Sequence, residues 1–354
     1  MRYATNYDIG DRKRATGINE DSVALSVFEQ GHRDGYRGQA RTSGGDDAED
    51  LPANRSAAAF VLADGAGGHE AGDVASYIAT TIVCEQLAQV SIRAARADPT
   101  DFDVPVERTP SVPSASDLRE AVEDAINTAH RAIIANAVES GAGAYTTVVA
   151  GIVADERVHY GWVGDSRAYV LNRERETIDR LTKDHAVVEQ LHDAGDIDDV
   201  EAHVHPRGNE ITRALGGTPA ENPETAAIEV ETNSVPLYAE DTLLVTSDGL
   251  IDAQTDAPDL YEAYKTAGTD EMAAEIRELV VTDDEIRDVV LGADSLDGAA
   301  ARLGTLTNER GGKDNFSVLL LTDDTLAETP AEVPVRDIDA TPVEDRETRI
   351  ISGE

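Results

Sequence analysis

The chain has 354 residues, 70 of them acidic and 30 basic, for a formal net charge of −40, and 40% of its residues are hydrophobic. That apolar content supports a core and excludes general disorder, while the negative field excludes nucleic acid and anionic lipid as simple electrostatic partners. The N-terminal MRYATNYDIG has no apolar leader core and no run of about 18 apolar residues follows, so the expectation is a soluble, cytoplasmic protein of one large or two average domains.

In chain order, SVALSVF (22–28) and AAAFVLA (57–63) are short, partly β-branched apolar runs and predict strands. Between them, residues 30–56 are rich in Gly and Asp and read as an insertion. Residues 72–92 repeat Val74, Ile78, Ile82 and Val83 at helical spacing, with the single Cys84 among them as a small core residue. Residues 96–116 carry four prolines and read as a second loop. Leu118, Val122, Ile126, Ala129 and Ile133 predict a helix over 117–138, with Asp117 and Glu120 as its capping box. Strands are then predicted at YTTVVAGIVA (145–154), RVHYGWVG (157–164), RAYVLN (167–172), DTLLVTS (241–247) and FSVLLLT (316–322). Residues 324–354 are acidic with Thr and Pro, and predict a disordered tail. Strands in succession with helices between favour an α+β fold, with helices on antiparallel sheets.

Aspartates recur where apolar strands end: Asp21 in INEDS, Asp64 in LADGAGGH, Asp165 in VGDSR, Asp248 in TSDGL and Asp314 in GGKDNFS. Any one is read most simply as a turn. Gathered at one end of a sandwich, such carboxylates would repel and favour protonation unless a hard divalent cation neutralised them. No Cys/His set has zinc spacing.

The ordered series YDIG, INEDS, VLADGAGGHEAGDVAS, YTTVVAG, WVGDSRAYVL, LTKDHAVVEQL, NEITRALGG, DTLLVTSDGLID and GGKDNFSVLLL resembles the metal-dependent protein phosphatases of the 2C type in their bacterial and archaeal form. The resemblance covers most of residues 5–322. It implies a sandwich of two antiparallel sheets flanked by helices (α-β-β-α), a phosphatase domain over 1–323, and a flap over 181–217 whose Asp184, His185, Arg207 and Arg213 are candidates for reading the substrate. It also implies two Mn²⁺ or Mg²⁺ ions with a weaker third. Asp64 would bridge two ions and the Gly65 carbonyl would bind one; Asp248 and Asp314 would complete the first. Glu20 and Asp21 would serve the second, and Asp165 with Asp248 the third. Asn315 and Thr146 would support the site. The implied reaction is in-line attack on a phosphoserine or phosphothreonine by a hydroxide bridging the ions, the partners being phosphorylated proteins of a Ser/Thr kinase and the enzyme a monomer.

Two positions depart from the family pattern. Thr16 stands where the family has its phosphate-gripping arginine, which leaves Arg14 as the candidate and Arg12 as the second choice. Ala66 stands where eukaryotic members have a histidine, and His69 is close but not equivalent. A catalytically inactive binding module on the same fold is the alternative these departures leave open.

Only four basic residues (Lys13, Lys183, Lys265, Lys313) are lysine, and this charge pattern suits a salt-rich cytoplasm such as that of a haloarchaeon. At about 1 M salt the Debye length falls to roughly 3 Å and most of the repulsion is screened. The chain is therefore expected to unfold in dilute buffer and to fold in molar KCl, as read by circular dichroism across a salt titration. A signal independent of salt would contradict this reading.

Overall fold

Strand β3 (Ala57–Ala66) sets the layering through its alternation. Ala57, Ala59, Val61 and Ala63 point to one buried face, while Ala58, Phe60 and Leu62 point to the other. Both faces of this strand are thus covered, which is why it reads as a continuous apolar run. The computed structural model describes residues 1–14, 17–28, 56–66, 71–95, 112–252, 254, 256–336 and 351–352.

One sheet has seven strands: β10 (Leu215–Gly217), β4 (Ala144–Thr146), β3, β5 (Val148–Ala154), β6 (Arg157–Val163) and β11 (Glu231–Pro236) in that order, with β2 (Asp21–Phe28) also on β3. The other has five, ordered β1 (Arg2–Asp8), β13 (Phe316–Thr322), β12 (Asp241–Thr246), β7 (Arg167–Asn172) and β8 (Thr177–Arg180). Every pairing in both is antiparallel. Phe60, Leu62, Tyr160, Trp162, Val170, Leu243 and Leu319 fill the space between the sheets.

Helices α1 (Gly72–Ala94) and α2 (Ala115–Ser140) cover the larger sheet. Helices α7 (Asp283–Gly292) and α8 (Leu296–Glu309) bury Ile286, Val290, Leu303 and Leu306 against the smaller one. The flap carries α3 (Val187–Asp193), α4 (Asp199–Val204) and strand β9 (Glu210–Ile211). Val200 and Val204 of the flap pack on α5 (Ala257–Ala267) and α6 (Asp270–Leu279) through Ala257, Ala273 and Ile276. The expected α-β-β-α sandwich is therefore present.

Several local expectations change. The run 145–154 is two strands, broken at Thr147, whose hydroxyl accepts the Asp64 N–H (3.1 Å) and whose own N–H donates to the Asp64 carbonyl (2.8 Å). Helix α2 starts earlier than expected, inside the stretch assigned to a loop. Its box is Ser114 with Asp117, because the Asp117 carboxylate accepts the Ser114 N–H (2.8 Å). Apart from Ser56 and 112–116, the two expected insertions, 30–56 and 96–116, lie outside the described residues, as do Thr16 and His69.

The tail is not structureless over residues 324–336. Thr329 donates to Glu240 (2.6 Å), and the Arg175 guanidinium donates to the carbonyls of Pro330 (2.7 Å) and Ala331 (2.6 Å). Arg336 is 7% exposed and pairs with Asp241 and Asp179 over the Tyr238 ring. Residues 351–352 form β14 (Ile351–Ser352), paired with β9. Acidic composition suggested disorder, but a buried arginine facing two carboxylates is an ordering contact that composition does not register.

Arg336→Ala leaves Asp241 buried without its cation. We expect a loss of about 3 kcal/mol in stability, read from denaturant midpoints in molar KCl. A loss under about 0.5 kcal/mol would show that the tail only rests on the sheet.

Candidate metal centre

The face between the sheets is apolar along most of its length and turns polar at one end. On β2, Val23, Leu25 and Val27 pack into that core, so Asp21 continues the same side. On β3, Asp64 continues the side of Ala58, Phe60 and Leu62. The register sets Asp21 directly opposite Asp64. From the other sheet, Leu243 and Val245 lead to Ser247, and Leu321 and Leu319 lead to Ser317. The Ser247 hydroxyl donates to Asp21 (2.8 Å) and accepts the Ser317 N–H (3.0 Å), so one serine ties the two sheets together at the site.

Backbone polar groups hold the remaining pieces. Asn315 accepts the Glu20 N–H (2.9 Å) and donates to the Ile9 carbonyl (3.0 Å). The Thr146 hydroxyl donates to the Asp64 carbonyl (2.8 Å), and the Thr147 and Ser166 hydroxyls stand 2.7 Å apart. Two glycines are required by close approach. A Cβ on Gly65 would collide with the carbonyls of Gly72 and Glu20, and one on Gly249 with the Asn315 carbonyl. The Asp-Gly pairs at 64–65 and 248–249 therefore bring the β2, β3, β12 and β13 ends into one place.

The carboxylates gathered there perturb one another. Burial, then the charges of Asp21, Asp248 and Asp314, push Asp64 well above the usual carboxylate range. Burial also raises Asp21 to about 6, against hydrogen bonds from Ser317 and Ser247 that favour its charge. Burial, with Asp314 and Asp252 next, raises Asp248 to about 7. Glu20 is raised by burial against the opposing charge of Lys13. Burial and the charges of Asp248 and Asp184 raise Asp165 well above its ordinary value. Asp21, Asp64 and Asp248 are each half-buried, and Asp248 lines a cleft. The cleft, a cavity of about 1060 Å³, is lined on this side by Asp165, Asp248, Asp252, Arg12 and Lys313, and on the other by flap residues including Pro206 and Asn209.

This donor set fits a hard divalent cation. It is made of carboxylates, and two of its buried oxygens, Asp21 Oδ1 and Asp248 Oδ1, have no hydrogen-bond partner. Among the described residues no three acidic, imidazole or thiol side chains already converge as a finished cage. The charges of Asp21, Asp248 and Asp314 beside Asp64 add to its burial, so the cluster without a cation favours protonation.

The structure thus brings together Glu20, Asp21, Asp64, Asp248 and Asp314, with Asp165 beside Asp248 and with Asn315 and Thr146 bracing the backbone. It does not bring Arg14 there. That guanidinium donates to Asp8 (2.8 Å) and Asp11 (3.1 Å), in the loop after β1. Lys13 reaches the cluster instead. Its ammonium donates to Asp314, and although burial opposes its charge, Asp314 together with Asp64 and Glu20 raises its pKa.

Three of the four flap charges expected to read substrate are occupied internally. Asp184 is held below the carboxylate range, despite its burial, by Arg167 (2.7 Å) and Arg180 (2.5 Å). His185 is buried on Trp162 and accepts the Gly164 N–H (3.0 Å). Arg213, 5% exposed, pairs with Glu229 and Glu231. Only Arg207 is on the surface, paired with Glu210 (2.6 Å). A salt-bridged interior arginine and a buried imidazole satisfy each other's neighbours before they can meet a ligand.

The chain is similar in sequence and fold to proteins of known family. The family model described as Protein phosphatase 2C matches residues 35–281. A serine/threonine phosphatase of Listeria welshimeri is 30% identical over 265 residues, covering 74% of this chain and 82% of the relative. The structure of the Mycobacterium tuberculosis serine/threonine phosphatase PstP/Ppp is 26% identical, covers 93% of this chain and 99% of its own, and superposes with a TM-score of 0.58. A PstP catalytic domain in complex with two manganese ions is 26% identical over 90% of this chain and 96% of its own, with a TM-score of 0.55.

A raised carboxylate pKa means that the folded, metal-free protein holds protons the unfolded chain has already lost. Its stability then falls as pH rises from near 3.8 toward about 7, and the full cost is present above that. Asp248→Asn removes one of these charges. At pH 8 in EDTA its thermal midpoint should lie above that of the parent, by roughly 2 °C for each kcal/mol relieved, while the rise on adding Mn²⁺ should be lost. A lower midpoint in EDTA, or an unchanged response to Mn²⁺, would contradict the assignment.

Proposed function

The chain belongs to the protein phosphatase 2C family and is a metal-dependent protein-serine/threonine phosphatase acting on phosphorylated proteins, and we propose that its reaction centre is the carboxylate cluster at the shared end of the two sheets. The observation that carries this assignment is the pair of orphaned carboxylate oxygens, Asp21 Oδ1 and Asp248 Oδ1, in a buried cluster whose carboxyls are pushed above their ordinary pKa. Asp64 is the central ligand, because its carboxyl interacts with Asp21, Asp248 and Asp314 together. Gly65, Asp248 and Asp314 would hold one ion, Glu20 and Asp21 a second, and Asp165 with Asp248 a weaker third. Mn²⁺ is the ion we favour, given the manganese pair in the PstP complex. When bound, such cations supply Lewis acidity toward water and positive charge toward a phosphoryl group.

The chain's own residues do the positioning. Lys13 is the cation we assign to the phosphate, in place of Arg14. It is the side chain whose ammonium lies among Asp314, Asp64 and Glu20, and Asp314 can release it once the carboxylates are otherwise neutralised. Arg12 lines the cleft at the same end. Ser247 and Asn315 fix Asp21 and Glu20 across the sheet-to-sheet boundary, so the carboxylates meet substrate at set positions. An inactive module on this fold is not favoured, since every carboxylate of the series is present and gathered.

The finer reading extends further. The phosphatase domain spans 1–323, with insertions near 30–56 and 96–116 and the flap at 181–217. The protein works as a monomer against a Ser/Thr kinase in the salt-rich cytoplasm of a haloarchaeon. Support comes from the net charge of −40 with only four lysines, and from the described helices, none of which is long and apolar enough to cross a membrane.

Hydrolysis of a phosphothreonine peptide in molar KCl tests the centre. Turnover should require Mn²⁺ or Mg²⁺, stop in EDTA, and fall by at least about a hundredfold in Asp248→Asn. Lys13→Ala should raise KM for the peptide about tenfold, whereas Arg14→Ala should change it less than twofold. The reverse ranking of the two cations would return the role to Arg14.

A further inference from the structure

Strand β9 has two edges, and they are used differently. On its inner edge, Ile211 bridges Ala186, and the Thr212 N–H donates to the His185 carbonyl (2.6 Å). Backbone groups alternate sides along a strand, so the N–H of Ile211 faces the outer edge. There β14 adds antiparallel, with Ile351 opposite Ile211 and Ser352 opposite Glu210. The contact spans 140 positions of sequence and joins the far end of the chain to the flap.

Its location gives the pairing a consequence. Asn209, the residue before β9, accepts from Lys313 Nζ (2.9 Å), and Lys313 also binds Asp252 (2.5 Å) and precedes Asp314. Pro206, Gly208 and Asn209 line the same cleft as Asp165 and Asp248. An extended backbone laid along the outer edge of β9 therefore runs beside the mouth of the carboxylate site. An open strand edge is a ready template for such a backbone.

We propose that the outer edge of β9 docks the extended backbone of the phosphorylated protein, and that residues 351–352 hold this edge until substrate displaces them. This inference rests on the phosphatase assignment. Strand addition reads main chain rather than side chains, which suits an enzyme whose flap charges are mostly consumed internally. The tail strand is short, and a pairing of one or two ladder bonds is weak enough to be displaced.

The test uses the full chain with Ile351→Pro, which removes one ladder donor and disfavours strand pairing at β14. Two substrates are compared in molar KCl with Mn²⁺: a nine-residue phosphothreonine peptide and p-nitrophenyl phosphate, which has no backbone. The expected result is a KM for the peptide lowered about threefold to tenfold, with the aryl phosphate unchanged. A synthetic peptide of residues 346–354 added to the variant should restore the higher KM competitively, and the same peptide N-methylated at Ile351 should not. Hydrogen exchange at Ile211 of the Mn²⁺-loaded protein should quicken in the variant and slow again on adding a non-hydrolysable phosphonate analogue of the peptide, with which no turnover intervenes. An unchanged peptide KM, equal shifts for both substrates, or Ile211 exchange indifferent to both changes would overturn the docking edge. Hydrolysis of neither substrate by the unaltered protein would instead remove the phosphatase assignment beneath it.

Discussion

Carboxylates crowded at one end of a sandwich are the constraint around which the rest is built. Asp21, Asp64 and Asp248 would separate if the backbone allowed it, since the charges of Asp21 and Asp248 add to burial in raising the pKa of Asp64. They are kept together by apolar strands that are satisfied elsewhere. The inter-sheet core of Phe60, Leu62, Trp162, Leu243 and Leu319 fixes the strand ends, and the strand ends carry the acids. The folding energy of the core therefore offsets the repulsion of the site, and a cation turns that stored repulsion into affinity.

The same alternation that makes the core makes the site. Every second residue of β2 and β3 faces the other sheet, and the last residues of that series are Asp21 and Asp64. The opposite sheet ends in Ser247 and Ser317, whose hydroxyl and amide close the gap without adding charge.

The net charge shapes the surroundings. In a chain of −40, most cations among the described residues are already spoken for, as Arg167 and Arg180 are by Asp184, and Arg213 by Glu229. Lys13 is notable because its partners are the site's own acids rather than a structural carboxylate. The tail follows the same rule. Arg336 is drawn into the edge of the five-stranded sheet by Asp241 and Asp179, and this orders a stretch whose composition alone suggests none.

What the sequence determined by itself is the part governed by local period and motif order. Short apolar, partly β-branched runs located β2, β3, β5, β6, β7, β12 and β13, and helical spacing located α1 and α2. The ordered motif series, with aspartates where apolar strands end, named the acids that come together. The β1 strand, the helices between 257 and 309, and the short strands of the flap were not legible, because their apolar residues are few and their stability comes from packing on the sandwich. Tertiary structure alone decided which cation meets the cluster, since Lys13 and Arg14 are adjacent in sequence and differ only in the direction the loop after β1 turns them. It alone decided that Asp184, His185 and Arg213 face inward, and that residues 351–352 lie on the flap. Each of these depends on contacts between segments far apart in the chain, and no local pattern encodes the distance between them.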